Sequence, residues 1–355
     1  MRLLARTWPV RAGIVVGVGL VMLGGASAAF AKTTITGAGA TAPQLLYQQW
    51  ASHYRAARIN YQGVGSGAGI NAIVAGTVNF GASDQPLLRS GGTPPTLNGS
   101  PQMVQFPSCI EGIVPIVNIP GVKSGKLKLS GPLLAQIYLG HVTKWNDAAI
   151  KKLNPGLKLP STRITVIHRS DKSGTTFIFT MYLTKVTGAW TRQGMTISWP
   201  TGVGAAKSQG VATAVQQHKG AIGYVEYAWA VSDHIPFAQM KNLSAKWVMP
   251  SQKTFAAAGA HATYTWSNGF ATNLENMKGK TVWPITGETY ILVRRAQANY
   301  ATAHTMLSFF NWAFKNKTGI ADAKRLTFVP LPTKAVTAIE KVWHSSIKAG
   351  SKPCW

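Results

Sequence analysis

The stretch ITVIHRSDKSGTTFIFTMYL, residues 164–183, changes from a β-branched run to an apolar run through a polar segment of small residues. Its start, residues 164–167, is predicted to form a strand, and residues 177–183 are predicted to form a helix. The polar segment between them, residues 169–176, lies where the strand turns into the helix. A strand followed at once by a helix is the repeating unit of α/β proteins, so this stretch predicts that fold class.

Two further small-residue segments occupy the same kind of position. They are GAGATAP, residues 37–43, and GVGSGAG, residues 63–69. In the first, Thr41 suits the N-cap of a helix, and Pro43 suits the first helical turn, where its missing N–H costs nothing. Each of the three segments offers unpaired backbone N–H groups, a hydroxyl and the positive end of a helix dipole. One such segment alone usually only caps a helix, but three that converge would form an anion site.

The rest of the chain continues the alternation of short strands and helices. Strands are predicted at residues 33–36, 59–62, 78–82 and 113–119. Helices are predicted at residues 43–56, 71–75 and 132–139, and a surface loop rich in Gly, Pro, Ser and Thr at residues 90–101. We therefore expect twisted sheets that are flanked by helices.

The N-terminus has the pattern of an export signal. The positive n-region contains Arg2, Arg6 and Arg11, and the apolar h-region covers residues 12–23. Ala29-Phe30-Ala31 matches an A-x-A cleavage site. Residues 1–31 are thus predicted to be a signal peptide that is removed before Lys32, which places the mature protein in the periplasm. A retained membrane anchor is the alternative, but the apolar run is short and interrupted by glycine.

The chain is strongly basic, with 36 Lys and Arg against 10 Asp and Glu and a net charge of +26. We expect no nucleic-acid partner, because the basic residues are scattered and no zinc spacing or RNA-binding signature is present. Two interpretations of the charge remain open. It could create a field that attracts anions, or it could be an adaptation to an acidic exterior, where carboxylates would be protonated.

The residue types that catalysis and metal binding require are not grouped in the sequence. The eight histidines are dispersed, and no C-x-x-C, H-x-x-x-H or G-x-S-x-G pattern occurs. The ten acids are spread along the chain, so we expect no metal cluster, no cofactor and no enzyme activity. Residues 63–68 fit the dinucleotide pattern G-x-G-x-x-A, but this pattern is common by chance and export argues against a dehydrogenase.

Cys109 and Cys354 are the only two cysteines. In an oxidising compartment they could pair and close a loop over most of the chain, which is the arrangement we favour. The alternative is one buried thiol and one loose thiol near the C-terminus, since a sequence does not show whether the two sites approach.

Longer segments around the three turns carry a family resemblance. They are, in chain order, TGAGAT (36–41), YQGVGSG (61–67), FGASDQPL (80–87), NIPGVKSG (118–125), KWNDAAIKKLNPGLKLP (144–160), RSDKSGTTFIF (169–179), GAIGYVEYAWA (220–230) and WPITGETYILV (283–293). In order and spacing they resemble the periplasmic phosphate-binding proteins of high-affinity phosphate ABC importers. The resemblance covers essentially the whole mature chain.

This resemblance implies a two-lobe periplasmic binding protein of type II, in which each lobe is a twisted sheet flanked by helices. Lobe I would comprise residues 32–112 together with residues 286–355, and lobe II residues 113–285. The lobes would close over inorganic phosphate and deliver it to the membrane permease subunits of the importer. The protein would act as a monomer and would not be an enzyme.

The resemblance also implies the residues that bind phosphate. Lobe I would contribute Thr41, the backbone N–H of Ala42, Ser66 and Asp84, and lobe II would contribute Arg169, Ser173, Gly174 and Thr175. Asp171 would support the Arg169 guanidinium. Ala42 departs from the family, which often has a bulkier apolar residue there, but the backbone donor is kept.

The chemistry of two of these side chains fits a phosphate ligand. Arg169 can donate to two phosphate oxygens at once, which a lysine cannot do. A carboxylate such as Asp84 repels an anion unless the anion carries a proton that it can donate. Phosphate near neutral pH carries one and sulfate does not, so Asp84 would exclude sulfate. A receptor for another oxyanion and an exported phosphoesterase are the alternatives.

Overall fold

The computed structural model describes residues 32–87 and 103–355. The predicted signal peptide, residues 1–31, and the predicted loop, residues 90–101, lie outside the described residues. Within the two described ranges, no helix is both long and apolar enough to cross a membrane.

The chain first builds one half of a mixed sheet from two strand–helix units. Strands β1 (Thr34–Gly39), β2 (Arg58–Gly63) and β3 (Phe80–Ser83) are connected by helices α1 (Gln44–His53) and α2 (Ser66–Ala75). Strand β1 pairs in parallel with both β2 and β3. The α/β class predicted from the sequence is confirmed.

One long strand, β4 (Met103–Val117), connects the two halves of the sheet. Residues 103–112 pair antiparallel with β11 (Thr286–Arg294), and residues 113–117 pair antiparallel with β8 (Ala221–Glu226). The sequence predicted a strand only at residues 113–119, so the first ten residues of β4, which include Pro107, were missed. The structure accommodates the proline at a β-bulge, where the register shifts opposite Thr289 and Tyr290.

The full sheet has eight strands in the order β2-β1-β3-β11-β4-β8-β6-β7. Its far edge consists of β6 (Thr165–Arg169) and β7 (Val203–Ala205). A smaller sheet contains β5 (Lys128–Ser130), β9 (Gln239–Lys241) and β10 (Trp247–Val248), and a terminal hairpin contains β12 (Lys348–Ala349) and β13 (Lys352–Pro353).

Helices cover the sheets. Beyond α1 and α2 they are α3 (Gly131–Tyr138), α4 (Ala148–Leu153), α5 (Gly174–Val186), α6 (Lys207–Gln217), α7 (Tyr227–Ser232), α8 (Gln252–Gly259), α9 (Tyr300–Lys315), α10 (Lys317–Arg325) and α11 (Thr333–Ser346). Helices α2 and α5 start earlier than predicted, at Ser66 and Gly174. Glycine is a poor helix former, so propensity alone placed these starts too late, and packing against the sheet overrides it.

Buried apolar side chains form two large clusters that both include residues of β4. One cluster contains Val104 and Phe106 of β4 and is built around Trp50, Phe310 and Trp343. The other contains residues 113, 114, 116 and 117 of β4, and its large members include Trp145, Phe179, Tyr224 and Trp283. The change from one cluster to the other lies near residue 112, where β4 also changes its pairing partner.

Cys109 and Cys354 are both buried in the first of these clusters and both are free thiols. The disulfide that we favoured from the sequence is therefore not formed. Neither is the C-terminal thiol loose, because the Cys354 N–H donates to the carbonyl of Ile347 and its side chain packs in the core.

Helix α2 lies so close to β1 that one helical position requires glycine. A Cβ atom on Gly69 would lie 2.3 Å from the Cα of Gly39 and 2.6 Å from the carbonyl oxygen of Ala38. Both are backbone atoms, so α2 could accept a side chain there only by moving away from the sheet.

We therefore expect Gly69→Ala to lower the free energy of unfolding by about 1–3 kcal/mol, as overpacking of a tight contact does. Urea denaturation measures this. Gly210→Ala is the control, because a Cβ at this position of α6 would lie 3.7 Å from its nearest neighbour. The control should be neutral or stabilising, since alanine favours a helix over glycine. Equal stability of wild type and Gly69→Ala would contradict the tight contact.

Candidate functional site

The three predicted turns meet at one place. The Gly67 N–H at the start of α2 donates to the carbonyl of Lys172 at 3.0 Å, and the Gly174 N–H at the start of α5 donates to Ser66 Oγ at 3.1 Å. Gly174 has to be glycine, because a Cβ there would lie 2.6 Å from both Asp84 Cβ and Ser66 Oγ. The positive ends of the helices therefore share one small region.

The β1–α1 turn contributes free donors, although not in the way the sequence suggested. Thr41 is not the N-cap of α1, because the helix begins at Gln44 and Pro43 occupies the cap position. The Thr41 hydroxyl is instead 2.8 Å from Ser208 Oγ and accepts from the Ser208 N–H at 3.3 Å. The buried Ala42 N–H has no hydrogen-bond acceptor among residues 32–87 and 103–355. Freed from helix capping, this turn can serve a ligand.

Arg169 ends β6 and is 4 % exposed. Its Nε and Nη2 donate to the two carboxylate oxygens of Asp171 at 2.7 and 2.6 Å, so one edge of the guanidinium is fixed in a two-bond pair. The Nη1 atom donates to Thr175 Oγ1 and Ser208 Oγ, both at 3.3 Å. Burial alone would lower the pKa of Arg169, but Asp171 raises it on balance. The guanidinium therefore keeps its charge in the interior.

Ser173 and Thr175 lie at the start of α5. Ser173 Oγ accepts from the Thr176 N–H at 3.2 Å and is the N-cap of the helix. The Thr175 hydroxyl donates to Glu226 Oε1 at 2.5 Å. The Thr175 N–H belongs to the first turn, where a backbone donor has no partner inside the helix.

Asp84 follows β3 and is 2 % exposed. Its Oδ1 accepts from the Thr289 hydroxyl at 2.7 Å, and its Oδ2 is buried without a hydrogen-bond partner in the described part of the chain. Burial, with a smaller contribution from Glu226, raises the pKa of Asp84 to about 7, against the opposing effects of Thr289 and Arg169. A buried oxygen without a partner costs free energy unless a donor reaches it.

Acids that are far apart in the sequence lie together beneath this site. Thr289 Oγ1 is 3.3 Å from Glu111 Oε1 as well as bound to Asp84, and Glu226 is bound to Thr175. Burial, followed by the charges of Asp84 and Glu226, raises the pKa of Glu111 well above its ordinary value. The spread of the ten acids along the sequence therefore did not predict their grouping. Nevertheless, no set of three or more His, Cys, Asp or Glu among the described residues could hold a metal ion.

Three residues of the site were missed by the sequence analysis. Ser208, in the first turn of α6, is 1 % exposed and contacts both Thr41 and Arg169. Its sequence context is an ordinary helix start, so no local signal could have identified it. Glu111 and Glu226 did carry a signal, because each is an acid inside an otherwise apolar strand, CIEGIV and AIGYVE. A charge in such a strand is buried, and buried charges are rare without a partner or a function.

The structure thus brings together the residues that the resemblance implied, of which Ala42 and Gly174 offer backbone groups. Around Asp84 and Arg169 it places Thr41, Ala42, Ser66, Ser173, Gly174 and Thr175, with Asp171 behind the guanidinium. The arrangement offers several neutral donors, one paired cation and one free carboxylate oxygen. It can bind a small oxyanion that carries a proton.

Comparison with known proteins shows the family to which the chain is related. The sequence profile of the PBP superfamily domain matches residues 24–317. The phosphate-binding protein PstS of Xylella fastidiosa (strain 9a5c) is 45% identical over 320 residues, which cover 88% of this chain and 86% of that protein. PstS of Haemophilus influenzae is 44% identical over 321 residues, covering 89% and 94% respectively.

A solved structure shows the same fold. It is a high-affinity periplasmic phosphate-binding protein, PfluDING, bound with phosphate, and it superposes with a TM-score of 0.71 at 24% identity over 89% of this chain and 96% of that chain. At this identity the likeness concerns the fold alone. Together with the sequence relatives, it leads to one conclusion: the chain belongs to the PstS family of phosphate-binding proteins, within the PBP superfamily.

Proposed function

We propose that this protein captures inorganic phosphate in the periplasm and delivers it to the permease subunits of an ABC importer. One observation carries the proposal: a buried carboxylate oxygen, Asp84 Oδ2, has no hydrogen-bond partner in residues 32–87 and 103–355, and it lies among converging helix N-termini and a buried arginine. An anion site that contains a free acceptor suits an anion that brings its own proton, as phosphate does.

The donors around the ligand are mostly neutral. Ala42 and Thr175 would donate their backbone N–H groups, and Thr41, Ser66 and Ser173 their hydroxyl groups. Arg169 would donate from the edge that Asp171 leaves free. Gly174 would allow the backbone to approach the ligand closely. Neutral donors and helix ends can stabilise an oxyanion without placing several cations in the interior.

We propose that two lobes close over the ligand, one of residues 32–112 with 286–355 and one of residues 113–285. The two apolar clusters and the change of pairing along β4 support this division. Contacts between Gly67 and Lys172 and between Thr41 and Ser208 would then join the lobes in a closed form. Release of phosphate would require these contacts to separate around the hinge, β4 and β11.

We infer binding without chemical turnover by a monomer. The hydroxyls of Thr41, Ser66 and Ser208 have other hydroxyls, backbone N–H groups and Arg169 as hydrogen-bond partners, and none of these is a base that could activate an attacking hydroxyl. The Thr175 hydroxyl does donate to the carboxylate of Glu226, but its oxygen also accepts from the positively charged Arg169, which lowers its nucleophilicity. The relatives in the same family are named as binding proteins, which agrees with this inference.

Removing the guanidinium should weaken phosphate binding strongly. We expect Arg169→Ala to raise the Kd for phosphate at least about thirtyfold, since truncating one partner of a buried charge pair costs roughly 2–5 kcal/mol. Isothermal titration calorimetry measures this. Arg58→Ala, at an exposed position of β2, is the matched control and should leave the Kd unchanged. If both variants bound phosphate like the wild type, Arg169 would have no part in the site.

Removing the carboxylate of Asp84 should relax selectivity. In Asp84→Asn the amide can donate to an oxygen that carries no proton, so sulfate should begin to bind while phosphate affinity falls modestly. The ratio of sulfate Kd to phosphate Kd should fall about 5- to 100-fold, because an unpaired buried contact costs roughly 1–3 kcal/mol. Titrations with phosphate, arsenate and sulfate measure it, with Asp233→Asn as the charge-matched control. An unchanged ratio would show that Asp84 does not discriminate between phosphate and sulfate. If the wild type bound sulfate more tightly than phosphate, the protein would be a receptor for another oxyanion.

The buried acids also predict how stability depends on pH. Burial raises the pKa of Asp84 to about 7 and that of Glu288 to about 6, and it raises the pKa of Glu111 as well. An acid with a raised pKa binds more protons in the folded than in the unfolded protein, so acidification towards its ordinary pKa near 4 stabilises the fold. His168, whose pKa is lowered by burial, acts in the opposite sense but is only half-buried.

We therefore expect the ligand-free protein to become more stable as the pH falls from about 8 to about 5. Urea denaturation at a series of pH values measures this, and Glu288→Gln should flatten part of the rise. This behaviour fits a protein that works in an acidic exterior. A steep loss of stability over the same interval would contradict both the pKa directions and that interpretation of the charge.

A further inference from the structure

A chain of hydrogen bonds leads from the proposed site to a second carboxylate. Arg169 Nη1 donates to Thr175 Oγ1 at 3.3 Å, and Thr175 Oγ1 donates to Glu226 Oε1 at 2.5 Å. Glu226 ends β8 and is fully buried, and its Oε2 has no hydrogen-bond partner among the residues the structure describes. Glu226 is not one of the ligands that the family resemblance implied.

The Thr175 hydroxyl can offer a ligand only a hydrogen-bond acceptor. A hydroxyl has one proton and two lone pairs. The Thr175 proton points to Glu226 and one lone pair accepts from Arg169, so only a lone pair remains for a ligand. Asp84 Oδ2 is likewise an acceptor to which no group in the described ranges donates. Two acceptors therefore face the position of the anion, and each requires a proton.

The charges around Glu226 lead to the same conclusion. Arg169 at the end of β6 is already paired with Asp171. Besides burial, Glu226 raises the pKa of the buried Asp84 after β3, and Asp84 and Glu226 raise the pKa of the buried Glu111 on β4. Other titratable groups near these residues in the described part of the chain include Tyr224, on the same strand as Glu226, and Glu288 on β11, which acts on Glu111. Tyr47, Tyr61 and Cys109 also lie near Glu111, and burial raises the pKa of each, so they remain neutral. With more buried acids than buried cations, a dianion would be repelled more strongly than a monoanion.

We propose that Glu226 determines which protonation state of phosphate binds. Glu226 accepts the hydrogen bond of the Thr175 hydroxyl, so Thr175 can only accept from a ligand. The site therefore selects the monobasic ion, H2PO4⁻, whose two protons can be donated to Asp84 and to Thr175. This inference rests on the proposed function, because it specifies the ligand of the same site. Glu226 acts through Thr175 and does not itself touch the ligand.

The inference predicts that binding takes up a proton in mildly alkaline solution. At about pH 8, above the Asp84 pKa of about 7, the carboxylate is ionised and most dissolved phosphate is dibasic. Binding the monobasic ion then requires about one proton from the buffer for each phosphate bound. Calorimetric titrations in two buffers with different ionisation enthalpies measure that number directly.

We expect Glu226→Met to bind phosphate with a proton uptake near zero. Without the carboxylate, the Thr175 hydroxyl can turn and donate to the anion, and the single proton of the dibasic ion satisfies Asp84. Glu288→Gln is the matched control. It also removes a buried acid, but Glu288 is bound by Tyr264, Thr272 and Tyr290 and by no site residue, so uptake should remain about one.

A second pair of variants tests the inference independently of the folding of Glu226→Met. Thr175→Ser keeps the hydroxyl, so phosphate binding should still take up about one proton. Thr175→Val removes the hydroxyl, so this proton uptake should be abolished. Phosphate binding by the wild type without proton uptake, or full uptake in Glu226→Met or Thr175→Val, would overturn this inference and leave the proposed function intact. Failure of the wild type to bind phosphate at all would overturn the proposed function itself.

Discussion

The structure of the site depends on one constraint, the burial of a carboxylate oxygen without a partner among groups that attract anions. Asp84 Oδ2 has no donor within reach among the residues that the structure describes, and burial raises the pKa of the group to about 7. Such a group is tolerated in an interior when a ligand supplies the missing donor. The neighbouring hydroxyls, backbone N–H groups and guanidinium attract an anion. Asp84 restricts binding to an anion that carries a proton.

The fold brings chain segments that are remote in sequence together around Asp84. The long strand β4 runs through both halves of the sheet, and glycines at the turns remove the side chains that would hold the segments apart. Gly174 is the clearest case, because any side chain there would collide with Asp84 and Ser66. The contact is therefore possible only with backbone at that position, and a backbone N–H is also the donor that suits an oxyanion.

The distribution of charge divides the molecule into a basic exterior and an acidic interior. Six of the ten acids are buried, namely Asp84, Glu111, Glu226, Glu275, Glu288 and Asp322, and none of the other four is fully exposed. In the described ranges, most Lys and Arg lie at exposed positions, so the excess of positive charge is presented there at the surface. A surface with few carboxylates has few negative charges that protonation at low pH would remove. The buried acids have raised pKa values, so their protonation does not destabilise the fold. The same surface attracts anions, so the two interpretations of the charge are compatible.

The sequence by itself determined the α/β class, the three turns between strand and helix, and the residue types of the site. These properties are local: the periodicity of apolar residues, the helix breakers and the glycines act within about ten residues of chain. Only the tertiary structure decided the partner of Thr41, the place of Ser208 and the grouping of Asp84 with Glu111 and Glu226. It also decided the full length of β4 and the burial of both thiols without a disulfide. Each of these depends on which strands pair and on how far helices approach the sheet, and long-range contacts leave no periodic signal in the segments that make them.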